Sequence, residues 1–250
     1  MKTVSILIPS FNEGATLAAI LKRVQAVNLS KIGLSKEIIF IDDGSTDNTK
    51  EVLESLVKDG VKIVRHETNL GKGAAIQSGV KSATGEIILI QDADLEYDPA
   101  DYERLLTPII NGLADVVYGS RFVGSSPHRV LLFWHYLGNK IITLLTNIAS
   151  NLNLTDIETG FKVFRKETLD SITLEEKRFG FEPEVTIKLA KKRWRFYEVG
   201  VSYHARDYKE GKKITWFDGL RAIIVIFRYS SLNFILIIAF LILLLMITIF

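Results

Sequence analysis

From residue 86 to residue 98 the chain reads Glu-Ile-Ile-Leu-Ile-Gln-Asp-Ala-Asp-Leu-Glu-Tyr-Asp, an apolar run that opens into carboxylates. Asp92 and Asp94, with Glu96 just beyond, supply hard oxygen ligands at a spacing that can hold a divalent cation, and such a cation can bridge the phosphates of a nucleotide. The triplet alone is weakly specific. The same residues fit a loop that caps a following helix opened by Asp98-Pro99. Position adds to it: Ile87 to Ile90 predict a strand buried on both faces of a parallel sheet, and ligands bind beyond the carboxyl ends of such strands.

Three other segments combine the same features. In Pro9-Ser10-Phe11-Asn12-Glu13-Gly14, proline stops a strand, the Phe11 ring can stack on a base and Glu13 can accept from a ribose or base donor; an ordinary strand-to-helix turn has the same composition. In Asp42-Asp43-Gly44-Ser45-Thr46-Asp47, glycine lets the backbone turn, and Thr46 or Asp47 can cap a helix. Capping needs one such residue, so the repelling pair Asp42-Asp43 points to a ligand donor or a nearby cation. Asn69-Leu70-Gly71-Lys72-Gly73-Ala74 is only weakly like a dinucleotide glycine turn, because Glu67 to Leu70 separate it from the preceding strand. A helix N-terminus carrying Lys72 still suits a phosphate.

The elements that must position these loops alternate. Strands are predicted at 4–8, 37–41, 61–64, 87–90 and 116–118, and helices with one apolar face at 14–27, 47–58, 71–83 and 99–111. That rhythm means βαβ units, right-handed crossovers and an α/β fold with a parallel sheet. After Gly119 it changes: 130–148 and 216–229 are apolar but interrupted by His135, Asn139, Lys140, Asn147, Arg221 and Arg228, as in amphipathic helices lying on a membrane or on the domain. Residues 232–250 carry no charge, and as a helix would cover roughly 28 Å, about the thickness of a bilayer core. The expectation is a catalytic unit over 1–211 (nucleotide half 1–120, acceptor half 121–211), a juxtamembrane helix over 212–229 and one transmembrane helix over 230–250. Lys212, Lys213, Arg221 and Arg228 before the span would place the catalytic unit in the cytoplasm.

Composition narrows the chemistry. Lys plus Arg number 31 against 29 Asp plus Glu, a net charge of +2, which gives no support for a nucleic-acid binder held by a basic field. With no cysteine, disulfides, thiolate-bound zinc and thiol nucleophiles are excluded.

Taken in order, Pro-Ser-Phe-Asn-Glu, Asp-Asp-Gly-Ser-Thr-Asp, Asn-Leu-Gly-Lys-Gly and Asp-Ala-Asp resemble the family 2 glycosyltransferases of the GT-A fold, a Rossmann-like, mostly parallel sheet flanked by helices. The resemblance implies a nucleotide-sugar donor, with Pro9, Phe11, Glu13 and Asp42 or Asp43 around the nucleoside and Lys72 beside it. It also implies Mg²⁺ or Mn²⁺ on the diphosphate, faced by Asp92, Asp94 and Glu96. Further on, Gly119-Ser120-Arg121-Phe122, Thr159-Gly160-Phe161-Lys162-Val163-Phe164-Arg165, Phe181-Glu182-Pro183-Glu184 and Glu198 to Arg206, followed by Glu210-Gly211-Lys212-Lys213, look like the dolichyl- or polyprenyl-phosphate hexose synthases. In that group Arg121, Arg129, Arg206 and Lys213 would grip the lipid phosphate, as guanidinium groups match phosphate oxygens. Asp94, Arg121 and Arg206 would then be catalytic. Glu158-Thr159-Gly160 and Glu182-Pro183-Glu184 depart from the eukaryotic mannose enzymes, so GDP-mannose and UDP-glucose both remain as donors.

A lipid phosphate is ionised at neutral pH and can attack the anomeric carbon without a general base, and the resemblance implies inversion. A glycan or glycolipid hydroxyl would need a base, for which Glu158, Glu182 or Glu184 could serve; His128, His135 and His204 are poorer candidates. A non-catalytic nucleotide-sugar-binding subunit is the third reading, and the Asp92/Asp94 pair argues against it.

Overall fold

A computed structural model describes residues 1–124, 132–204 and 216–231. The four predicted strands with the strongest apolar runs form β1 (Lys2–Ser10), β2 (Leu34–Asp42), β3 (Lys62–Arg65) and β4 (Ile87–Ile90). They alternate with α1 (Leu17–Ala26), α2 (Thr49–Leu56) and α3 (Lys72–Ser82), and α4 (Tyr102–Ile110) precedes β5 (Val116–Ser120). Asp98 does open the fourth helix: its side chain accepts from Ala100 N at 3.0 Å and caps a short 3₁₀ turn, Pro99–Asp101, that leads into α4.

The remainder contributes α5 (Phe133–Ser150), β6 (Lys162–Arg165), α6 (Lys166–Asp170), α7 (Phe181–Lys191), β7 (Phe196–Gly200) and α8 (Trp216–Tyr229). The sheet has seven strands in the order β3-β2-β1-β4-β6-β5-β7, and β6 runs antiparallel to both its neighbours. β6 and β7, absent from the sequence reading, join the same sheet as β1 to β4.

Registers fix what reaches the carboxyl edge. Ser10 lies beside Asp42 and Leu7 beside Ile90, so Phe11, Asp43 and Asp92 all emerge there. Because β6 is reversed it starts at that edge, Lys162 beside Ile90 and Tyr118. Residues 158–161 therefore enter the site from a strand's beginning. β7 runs parallel to β5 with Ser120 beside Gly200, which brings Arg121 and Tyr203 to the same rim.

Both sheet faces are covered. Ile87 and Leu89 of β4 join a core with α1, α2 and α4, while Ile88 and Ile90 join a second core with α3, α5, α7 and α8. α5 packs on the domain, and its polar residues are used there. Asn139 donates to Asp156 Oδ1 at 3.0 Å, Lys140 to Thr155 O at 3.1 Å and Asn147 to Leu154 O at 2.7 Å.

The expected membrane anchor and the cytoplasmic placement drawn from it are not upheld. Among the described residues no helix is long and apolar enough to cross a membrane, and residues 232–250 lie outside them. Two of the arginines read as flanking a span have other partners: Arg221 and Arg228 of α8 each reach Glu176, at 3.2 Å.

Leu89 is fully buried, so Leu89→Ala is expected to cost about 2–5 kcal/mol. Phe133, at 64% exposure, should change stability by no more than about 0.5 kcal/mol when cut to Ala. Urea unfolding midpoints compare the two; equal losses would mean that the α5 surface is covered in solution.

Candidate active site

A cavity of about 540 Å³ lies at the carboxyl edge, and its walls include Pro9, Phe11, Glu13, Asp43, Lys72, Asp92, Asp94, Glu96 and Arg121. Nine of the expected site residues therefore meet in one place. Asp42 is not among the lining residues. Arg129, Arg206 and Lys213 lie outside the described residues.

Local structure explains most of the placements. Ser45 N donates to Asp42 Oδ1 at 3.0 Å, so this carboxylate closes the Gly44 turn. Asp43 accepts from Leu70 N at 3.0 Å and Gly71 N at 2.7 Å, and its Oδ1 lies 2.7 Å from His66 Nδ1. His66 Nε2 is 2.8 Å from Ser78 Oγ. The adjacent acids are thus reconciled by partners inside the fold, and Asp43 pins the glycine loop to the end of β2.

The glycines of that loop make room for protein. A Cβ on Gly71 would stand 2.4 Å from Lys177 O, and one on Gly73 2.3 Å from Glu176 O. Ala74 N donates to Lys177 O at 3.0 Å, so the chain caps its own α3 N-terminus. The loop contributes Asn69, Gly71 and Lys72 to the cavity wall, and of these Lys72 carries the charge. Its Nζ is 2.8 Å from Asp92 Oδ1 and 3.7 Å from Glu182 Oε1. Burial works against its charge, but the Asp92 and Glu182 carboxylates outweigh that and hold the ammonium above its ordinary range.

Asp92 is also fixed from the other side, since a Cβ on Gly160 would meet its Oδ2 at 2.1 Å. Leu95 adopts φ 64°, a left-handed turn that costs a non-glycine residue about 1–3 kcal/mol, and Glu96 N donates to Asp94 Oδ1 at 3.1 Å. Glu96, also in the cavity wall, accepts from Tyr203 Oη at 2.9 Å. Among the described residues no three carboxylates or imidazoles converge as a ready ligand set, so the expected grouping of Asp92, Asp94 and Glu96 on one metal is not preassembled. Asp92, Asp94 and Glu96 all line the cavity, and their carboxylate oxygens are donors suited to Mg²⁺ or Mn²⁺.

Arg121 enters from the end of β5. Its Nε and Nη2 grip Asp156 at 2.7 and 2.8 Å, and its guanidinium lies 5.1 Å from the Tyr203 ring centroid. This side-on pair leaves the Nη1 end of the fork for another acceptor. Asp156, His66, Tyr203, Arg178 and Asp218 are site or supporting residues that sequence reasoning did not single out. The pairings that recruit Asp156 and His66 span 35 and 23 residues, and no local pattern announces them.

The three glutamates considered as bases differ. Glu184 is consumed: it accepts from Glu175 N, Glu176 N and Lys188 Nζ at 2.7–2.9 Å. Glu158 and Glu182 line the cavity. Burial, then the Glu182 charge, push the Glu158 carboxyl up to about 8, against the pull of Lys162 and Arg121. The native state therefore keeps this proton where the unfolded chain, titrating near 4.5, has released it. Stability from this group is complete below that value and is lost as pH rises toward 8. Urea midpoints measured from about pH 5 to about pH 8 should fall less steeply for Glu158→Gln than for the wild type. Parallel slopes would mean that Glu158 is already ionised when folded.

Comparison with known proteins bears on the whole arrangement. The family model for Glycosyl transferase family 2 matches residues 5–173. The chain is 30% identical over 233 residues to the dolichol-phosphate mannosyltransferase of Pyrococcus furiosus, covering 91% of this chain and 64% of that protein. It is 29% identical over 215 residues to an undecaprenyl-phosphate 4-deoxy-4-formamido-L-arabinose transferase of Aeromonas hydrophila, covering 85% of this chain and 63% of that one. It thus spans a little under two thirds of either relative. Glucosyl-3-phosphoglycerate synthase from Mycobacterium tuberculosis, crystallised with Mn²⁺, UDP and glucosyl-3-phosphoglycerate, aligns with a TM-score of 0.70 over 92% of this chain and 80% of that chain, at 20% identity. That likeness is one of fold, and it makes the seven-stranded sheet GT-A-like.

Proposed function

The chain belongs to glycosyl transferase family 2, and from that premise we propose that it transfers a hexose from a nucleotide diphosphate sugar, GDP-mannose or UDP-glucose, to a polyisoprenyl phosphate. One observation carries the reading: Asp92, Asp94, Lys72 and Arg121 share a single cavity at the carboxyl edge of the sheet. The named activities of the Pyrococcus and Aeromonas relatives support a lipid-phosphate acceptor, and the Mn²⁺ and UDP of the mycobacterial structure support a metal-bound donor.

The residues divide the work by charge. Asp92 and Asp94 would hold Mg²⁺ or Mn²⁺, which when bound offsets charge on the donor diphosphate and on the departing nucleotide. Lys72, kept charged beside Asp92, adds a fixed cation next to that leaving group. Phe11 and Glu13 take the nucleoside end. Arg121, oriented by Asp156, offers its remaining N–H groups to the acceptor phosphate. The attacking oxygen is already ionised, so no proton has to be removed from it.

A second reading, transfer to a hydroxyl, is favoured by one observation: Glu158 is a cavity carboxyl whose proton affinity, raised by burial and by Glu182, suits a general base.

Incubating the protein with radiolabelled GDP-mannose or UDP-glucose, dolichyl phosphate and Mn²⁺ should move label into the organic phase. EDTA should stop the transfer, and Asp92→Asn or Asp94→Asn should each lower kcat/KM by about a hundredfold or more. Full activity in both variants would remove the metal assignment. Label reaching only a hydroxyl acceptor, and lost in Glu158→Gln, would establish the second reading instead.

A further inference from the structure

Beyond the cation end, the cavity has a second chemical character. Glu182, on the first turn of α7, is 3% exposed, and Glu158 lies just before β6. Among the described residues, Glu182 Oε2, Glu158 Oε1 and the fully buried Thr159 Oγ1 have no hydrogen-bond partner. Buried polar atoms are rarely left unsatisfied, because each costs free energy that a bound partner would recover. Both carboxyls line the cavity. The other oxygen of Glu182 is 3.7 Å from the Lys72 ammonium that contacts Asp92, so the pair sits next to the presumptive diphosphate position.

The type of group that would satisfy them follows from their chemistry. A carboxylate such as that of Glu182 only accepts hydrogen bonds, and so repels phosphate oxygens while matching hydroxyl donors; the Glu158 carboxyl, which keeps its proton, can both donate to and accept from a hydroxyl. Lys162 does not fill the role. It is buried, donates to Thr159 O and stands 4.8 Å from the Tyr118 ring centroid. It balances charge within the wall.

We propose that Glu158 and Glu182 read the hydroxyl groups of the donor hexose and so determine which sugar is accepted. This rests on the nucleotide-sugar reading above and deepens it. A site built to hydrogen-bond a hydroxyl rejects a substrate that presents it wrongly, because its own buried groups are then left unpaired.

The test is calorimetric titration of the full chain, with Mn²⁺, against UDP, GDP, UDP-glucose, UDP-galactose, GDP-mannose and GDP-glucose. The wild type should prefer one hexose over its epimer on the same nucleotide. Glu158→Gln should shrink that preference by about tenfold or more while leaving UDP or GDP affinity within about twofold, and Glu182→Gln, which also alters the surroundings of Lys72, should shrink it by more than it changes nucleotide affinity. An unchanged preference in both variants would overturn the proposal and mark the carboxyls as merely hydrated. So would an equal loss for nucleotide and nucleotide sugar, the sign of a structural role. A wild type that binds nucleotide without discriminating hexoses overturns this inference and leaves the donor reading standing; one that binds none of the six overturns both.

Discussion

The site depends on one half-buried ammonium. Lys72 Nζ lies 2.8 Å from Asp92 and 3.7 Å from Glu182, and those two carboxylates arrive from β4 and α7, elements 90 residues apart in the chain. Without a cation between them, the two acids would repel. Lys72 reverses the sign of the contact. Its placement is in turn the product of the loop before α3, where Asp43 holds the amides of Leu70 and Gly71 and the glycines admit the backbone of residues 176–178.

That backbone links the site to the rest of the second half. Glu176, whose carbonyl packs on Gly73 and accepts from Gln77 at 3.0 Å, receives Arg221 and Arg228 of α8 through its carboxylate. α8 also contributes Asp218 to the cavity wall. A helix whose sequence reads as a surface amphipath is therefore part of the scaffold that seats the glycine loop. On the opposite rim, Tyr97 pairs with Tyr203, and His204 N donates to Glu96 O at 2.8 Å, which straps the chain after β7 to the aspartate loop.

How much of this could be read from the residues follows from where the information lies. β4 is buried throughout and the central parts of β1 and β2 nearly so, so they appear as apolar runs, and the polar loops after them mark the carboxyl edge. The cavity gathers Phe11, Glu13, Asp43, Lys72, Asp92 and Asp94 for that reason. β6 was hidden because its four residues begin with a lysine and end with an arginine, and a buried Lys162 is indistinguishable in sequence from an exposed one. Its insertion between β4 and β5 is a tertiary fact, and it decides that Gly160 packs on Asp92 and that Glu158 lines the same cavity. For the Asp42-Asp43 pair a nearby cation is present, Arg65 at 4.0 Å from Asp42, but its other partners, His66 and the amides at 45, 70 and 71, are brought in by folding. Glu96 lines the same cavity as Asp92 and Asp94, and the Tyr203 hydroxyl that holds one of its oxygens comes from more than a hundred residues away.

Charge along the cavity gives these placements a common logic. Among the described residues its lining includes eight carboxylates and three basic side chains, Lys72, Arg121 and Arg178. Asp156 already claims most of Arg121, and Asp92 claims Lys72. A wall with that balance is hostile to a diphosphate by itself, which is the electrostatic argument for a divalent cation accompanying the donor on the proposed reading. The same excess of acceptors is an advantage wherever the ligand presents hydroxyl groups, since each carboxylate oxygen can take a hydrogen bond and none need be neutralised. One cavity can thus serve two ends of one molecule. On the proposed reading Asp92 and Asp94 act through a cation, and Glu158 and Glu182 act through hydrogen bonds; the antiparallel β6 brings Glu158 into the same cavity.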